Sequence, residues 1–422
     1  MIVSYPLSPG VTLCCYHDER FKQGCVSIQL VRPASFSETA MSALLPSVLL
    51  RGTVRHPSIR SITLALDDLY GASVSPLVRR VGDCQTTGLY CGFMDDRFAR
   101  TGDKVLEPMI TFLREVLTAP AERGGFPESF VESEKKNLIS TIECDRNDKQ
   151  LYAMGRLLKL MGKADSIGLP RLGEPEQVAS ITAESLYGYY HKIFAESPIR
   201  IFYVGSCPPE QVAALTAPLF DVKRSDVLTL PPQTALSPGE GQNVTETMEV
   251  AQSSLCMGFV SSVTNRSELF PAMQVLNQIF GAGAISKLFT NVREKQSLCY
   301  SIGSGYYSTK GIVTVSAGID GDERDRVQAE VRLQLEKCAD GQISSEELHS
   351  AKQELLSALR AVHDSPESIE GYYANAELGG LPASPEEYME KISAVQRQQA
   401  AAAARTLHLH STYFLTEGGE NA

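Results

Sequence analysis

The chain has 422 residues, 43% of them hydrophobic and 21% charged, with a formal charge of −11 at pH 7, a balance typical of globular chains of two or three domains. No apolar run reaches the roughly 18 residues of a membrane span, and the acidic balance weighs against nucleic acid, whose phosphates draw on clustered Lys and Arg. The opening MIVSYPLSPGVTL has no basic segment ahead of an apolar one, so a cytoplasmic chain without a membrane partner is expected.

In chain order, the first strong signal is CVSIQLV, where Val26, Ile28 and Leu30 alternate as on a half-buried strand. A polar turn, RPASFSE, leads into an apolar helix through ALLPSVLL that closes at Arg51, Gly52 and Thr53. Pro46 stands inside that helix, where it removes one backbone hydrogen bond and crowds the preceding turn, so a kink is predicted. A helical SIRSITLALDDLYG, a strand-rich stretch through TTGLYCGF and a helix from about Lys104 to Leu117 follow. The last of these carries Leu106, Met109, Ile110, Leu113 and Leu117 on one core-facing stripe. FPESFVESEKKNLI and VASITAESLYGYYHKIF then read as helices ahead of a strand, IRIFYVG.

A stretch rich in Pro, Gly, Ser and Gln reads as a linker over 223–243. Beyond it the same order returns. In SLCMGFV, Leu255, Met257 and Phe259 alternate, and Leu255 to Gly281 spans the same 26 positions as Val26 to Gly52. SKLFTNVREK, the strands LCYSIGSGYY and GIVTVSAGI, and a helix RDRVQAEVRLQLEKC come next. SSEELHSAKQELLSAL follows with Leu348, Ala351, Leu355 and Leu359 as a stripe, then MEKISAVQRQQAAAAA and a strand, STYFLTEG. Two copies of one α+β unit are predicted, over 1–222 and 244–422.

Other chemistries find little support. None of the ten cysteines forms a CxxC, and several sit in apolar strand-like runs, as buried thiols of a reducing compartment do. His408 and His410 share a strand face but lack a third metal partner. FGAGA has neither the lysine nor the preceding strand of a phosphate loop and reads as a helix C-terminus. No GxSxG or Cys–His constellation stands out.

Strand, helix, helix, hairpin, helices and strand, repeated around a linker, resembles the insulinase and pitrilysin family of zinc peptidases over nearly the whole chain. The shorter members related to the mitochondrial processing peptidase are the nearest in plan, which implies two homologous domains, each a mostly antiparallel sheet packed with helices. The most specific stretch is FGAGAISKLFTNVREKQSLCYSIGSGY, similar to the family's glycine-rich helix end, second helix, Arg-Glu-Lys turn and Tyr-Ser strand. In that family the first helix carries H-x-x-E-H, two histidine ligands one turn apart and a glutamate that serves as general base. Counted back from the Arg-Gly-Thr ending, the histidine positions fall on Ala43 and Ser47 and the glutamate position on Pro46. The family's third ligand falls near Thr141, and Glu143 lies two positions away. The match therefore implies no metal and no other cofactor in this chain.

The same matching places the family's substrate-holding arginine and tyrosine on Arg293 and Tyr300, and its substrate-side glycines on Gly281 and Gly283. A guanidinium stays charged and donates in a fixed fork, and a phenol donates one directed proton, which suits both to a developing oxyanion. The resemblance implies a non-catalytic subunit of a heterodimeric peptidase, inactive alone, that grips a peptide while a homologous H-x-x-E-H partner brings the zinc. The alternative is a self-associating scaffold or peptide-binding protein without proteolysis.

Overall fold

The computed structural model describes residues 2–418 apart from 101, 120–123, 164, 221–223, 225 and 238; positions 223, 225 and 238 of the expected linker thus lie outside the described residues. Strands β1 (Ile2–Ser8), β2 (Val11–His17), β3 (Gln23–Pro33), β4 (Ser73–Val81), β5 (Cys84–Met94) and β6 (Ile199–Gly205) form a six-stranded sheet in the order β1-β2-β6-β3-β5-β4. Strands β7 (Asn243–Thr247), β8 (Ser253–Val260), β9 (Ser301–Tyr307), β10 (Ile312–Ile319) and β11 (His408–Thr416) form a five-stranded sheet in the order β7-β11-β8-β10-β9. With β1 set aside, the two orders coincide strand for strand. Each sheet has one parallel pair at the same place, β2 with β6 and β7 with β11, and is otherwise antiparallel. This is the duplicated, mostly antiparallel α+β architecture that the repeat predicts.

The compact units do not follow the halves of the chain throughout. One comprises Met1–Glu143, Leu169–Pro232 and Val362–Leu378; the other comprises Cys144–Gly168, Gln233–Ala361 and Gly379–Ala422. Each half therefore lends one helix to the other unit, so 1–222 and 244–422 describe the sequence repeat rather than the packed bodies. The loan explains a second departure: β3 and β8, read as half-buried from their alternation, are buried on both faces. In the second unit the helix Lys149–Met161 brings Ala153, Leu157 and Met161 into a core with Cys256, Tyr413 and Leu415. Gly258 in β8 leaves room for that helix, since an added Cβ would stand 2.2 Å from the Met161 sulfur.

In the first unit the loan comes from the helix Pro366–Gly379, and its anchor is ionic. The buried Glu370 carboxylate accepts from Ser27 Oγ at 2.6 Å and Gln29 Nε2 at 2.8 Å on β3. It also takes both terminal nitrogens of Arg79 on β4, at 3.0 and 2.7 Å. Ser27 and Gln29 are themselves buried, so the one carboxylate supplies a partner to both of these polar side chains.

The first helix spans Phe36–Leu49 and buries Leu44, Leu45, Val48 and Leu49, with Met41 partly covered. Pro46 lies in its last turn, and the helix continues through it to Leu49. The carbonyl that Pro46 cannot serve belongs to Ser42. Thr87 Oγ1, from β5, donates to that carbonyl at 2.6 Å. The Ser42 hydroxyl is in turn bonded to the Tyr189 phenol. A Thr87→Val exchange strands the buried Ser42 carbonyl and is expected to cost about 1–3 kcal/mol, read as a lower midpoint in urea unfolding.

The helix Leu106–Thr118 buries the stripe its periodicity predicts, whereas on the helix Ser345–Ala361 the buried residues are Ala351, Leu356 and Leu359, with Leu356 in the place expected of Leu355. Among the described residues no helix is long and apolar enough to cross a membrane.

Candidate functional site

The face of the first helix that matches the metal motif offers no ligand. Ala43 is buried and presents a methyl group, Pro46 is buried and presents a ring without a lone pair, and Ser47 is half-buried with only a hydroxyl. Thr141 is exposed on the helix Glu128–Asn147, and its hydroxyl donates to the Asn137 carbonyl at 3.0 Å. Glu143 is exposed as well. Zinc sites are built from thiolate, imidazole and carboxylate groups, so a zinc ion does not fit this set. Among the described residues no three His, Cys, Asp or Glu side chains gather as a metal site. The Arg-Gly-Thr ending has a packing role: Arg51 pairs with Glu134 at 3.1 Å and donates to Ser133 Oγ at 3.0 Å.

In the second unit Arg293 and Tyr300 line one open pocket of about 410 Å³, together with Glu294, Ser297, Cys299 and Asp320. Two local features bring them together. Arg293 sits near the end of a π-helical segment, Leu288–Glu294, a rare geometry that recurs at functional sites. The chain then reverses through Ser297 at φ +52°, with Ser297 N–H donating to the Arg293 carbonyl and Leu298 N–H to that of Val292, both at 3.1 Å. Tyr300 immediately precedes β9, and its N–H donates to Gly318 O at 2.9 Å on β10. The β9–β10 register pairs Ser301 with Gly318, which sets Asp320 at the same end of the hairpin as Tyr300.

The side chains are poised as donors. Tyr300 is 61% exposed, and its hydroxyl donates to Asp320 at 3.1 and 3.3 Å to the two carboxylate oxygens. That hydrogen bond, helped by the carboxylate charge, raises the phenol pKa above 10.0, so the proton stays in place at neutral pH. The Arg293 guanidinium lies over the Phe289 ring at 4.9 Å and 3.8 Å from Glu294, an arrangement that leaves the edge of its fork open. Cys299 is an ill-suited nucleophile here, because burial pushes its thiol up to about 11 despite the Arg293 charge.

Gly281 and Gly283 line a neighbouring pocket of about 760 Å³ along β9, with Ser301, Ser304 and Gln150. Both positions demand glycine for internal reasons. A Cβ on Gly281 would lie 2.7 Å from Ser304 Oγ and 2.8 Å from a Leu288 methyl; one on Gly283 would lie 2.8 Å from the Gln278 carbonyl. Glu354 holds this turn by accepting from the Ala284 N–H at 3.3 Å.

Comparisons with known proteins speak to the family and the fold. Residues 180–355 match the family model described as the peptidase M16 inactive domain. A "Probable inactive metalloprotease YmfF" of Bacillus subtilis is 28% identical over 412 residues, 97% of either chain. The chain is similar to M16-type peptidases. A solved structure of a conserved protein from Enterococcus faecalis superposes on this chain with a TM-score of 0.91 at 27% identity, covering 100% of both chains. A second, titled as a peptidase M16 inactive domain from Pseudomonas fluorescens, shares the fold with a TM-score of 0.82 at 16% identity, over 99% of this chain and 98% of that one.

Asp320 is the residue of the Arg293 and Tyr300 pocket that reading the sequence missed. Its signal was present in the hairpin: pairing SIGSGYY against IVTVSAGI about their turn sets Tyr300 opposite Ile319, one position short of Asp320. The π-helical turns that carry Gly281 and Arg293 leave no comparable mark, because side-chain periodicity does not separate one wide turn from an ordinary one.

Proposed function

We propose that the chain is the non-catalytic subunit of a heterodimeric M16-type metallopeptidase, presenting Arg293 and Tyr300 to a zinc site carried by a homologous H-x-x-E-H subunit. The observation that supports this reading most is the pairing of an open guanidinium and a protonated phenol in one pocket, in a chain whose own first helix holds no ligand. Arg293 can grip a peptide carbonyl through its fork, and Tyr300 can turn its proton from Asp320 to an oxygen that gains charge. No step of the hydrolysis falls to Ala43, Pro46, Ser47 or Thr141. The substrate is a peptide, without nucleic acid or membrane. Ten cysteines without a disulfide suit a reducing, cytoplasmic setting.

Reconstitution tests the reading. The chain and a homologue that bears H-x-x-E-H are purified apart and mixed. Peptide cleavage that appears only in the mixture supports the heterodimer. A stable homodimer that ignores the homologue and cleaves nothing supports the scaffold alternative.

A further inference from the structure

The pocket that holds Arg293 and Tyr300 contains one cation and two carboxylates, Glu294 and Asp320. Glu294, at 3.8 Å, already stands near the guanidinium. Asp320 is exposed, and its two oxygens share a single donor, the Tyr300 hydroxyl. Among the described residues no Lys or Arg stands within ion-pair distance of it. A carboxylate offers about four lone-pair sites, so most of its accepting capacity faces the pocket. Local structure does not use that capacity either. Asp320 is the N-cap residue of the short turn Gly321–Glu323, yet its side chain accepts no hydrogen bond from that turn.

We infer that Asp320 selects peptides that place a positively charged group, a lysine or arginine side chain or a free α-amino group, beside Tyr300. The inference rests on the peptide-gripping role proposed above. In this arrangement Arg293 takes the peptide backbone and Asp320 takes the cation, so the one pocket reads both the chain and its charge. The energetic scale is that of a solvent-exposed ion pair, worth about a fivefold preference and weakened by salt.

Binding of labelled peptides to the full chain, followed by fluorescence anisotropy, tests this. The probes are an N-acetylated serine–valine peptide with one central lysine, the same peptide with norleucine, and the norleucine peptide with a free N-terminus, all labelled at the C-terminus. The lysine peptide is expected to bind about fivefold more tightly than acetylated norleucine at low salt, with the preference lost in Asp320→Asn and reduced at higher salt. Tighter binding of the free-amine peptide would assign the cation to the peptide terminus, and tighter binding of the lysine peptide assigns it to a side chain. Because Asn retains an acceptor for Tyr300, the variant keeps the pocket, which unchanged urea unfolding would verify. Equal affinities, or a preference that survives Asp320→Asn, overturn the inference while binding that weakens in Arg293→Ala leaves the peptide-gripping role standing. Failure of all three peptides to bind overturns both.

Discussion

In the reconstituted pair, Arg293→Ala is expected to lower kcat/KM on a peptide substrate by roughly 10²–10³. Tyr300→Phe should fall in the same range, but through kcat rather than KM. The split follows from the proposed roles: the guanidinium would hold the substrate before and during reaction, whereas the phenol hydrogen bond would gain strength only when the oxygen acquires charge. Neither variant should unfold the chain. Tyr300 is 61% exposed and the Arg293 side chain is 41% exposed, so stability should stay within about 0.5 kcal/mol. Steady-state kinetics on the mixture, with urea unfolding of each variant alone, separates a lost donor from a damaged fold. A mixture that keeps full activity with Ala at 293 and Phe at 300 would remove this chain from the chemistry.

The second large effect lies away from the pocket. Arg79→Met leaves the Glu370 carboxylate buried with only Ser27 and Gln29 as donors, and removal of one partner from a buried ion pair costs about 3–5 kcal/mol. The helix Pro366–Gly379 is the element that this pair fastens to β3 and β4, so its amides should lose hydrogen-exchange protection first. A combined Arg79→Met and Glu370→Leu exchange removes both charges and should recover much of the loss, because the penalty comes from the stranded charge more than from the missing bond. If the single exchange proves neutral in urea unfolding, the ionic anchor is not what holds the helix.

Much of the architecture was legible because the pattern is given twice. The equal spacings of Val26 to Gly52 and Leu255 to Gly281 announce the repeat, and the matching strand orders of the two sheets bear it out. The loan of helices was not legible, since nothing in the periodicity of Ala153, Leu157 and Met161 tells which sheet they cover. The same ambiguity hid the second buried face of β3, where the polar Ser27 and Gln29 look solvent-facing until Glu370 meets them. Pro46 predicts a lost hydrogen bond, but the compensation by Thr87 Oγ1 is a long-range contact that no local rule supplies.

The candidate site was legible as residue types and opaque as geometry. Arg293 and Tyr300 were found by their place in a motif, and the turn through Ser297 brings them to one pocket. Gly281 and Gly283 were read as room for a substrate, and the structure adds a second need for them in the contacts with Ser304, Leu288 and Gln278. Asp320 escaped notice because a lone aspartate after a strand is common in turns; only the hairpin register gives it a neighbour.

Where the metal resides tests the proposed division of labour between this chain and a homologous partner. Zinc is best measured by elemental analysis on the chain alone after dialysis, and again on the purified reconstituted pair. Well under ~0.1 equivalent is expected in the chain and about one equivalent in the pair, since the proposed H-x-x-E-H partner would bring one three-ligand centre. A full, dialysis-resistant equivalent in the isolated chain would contradict this.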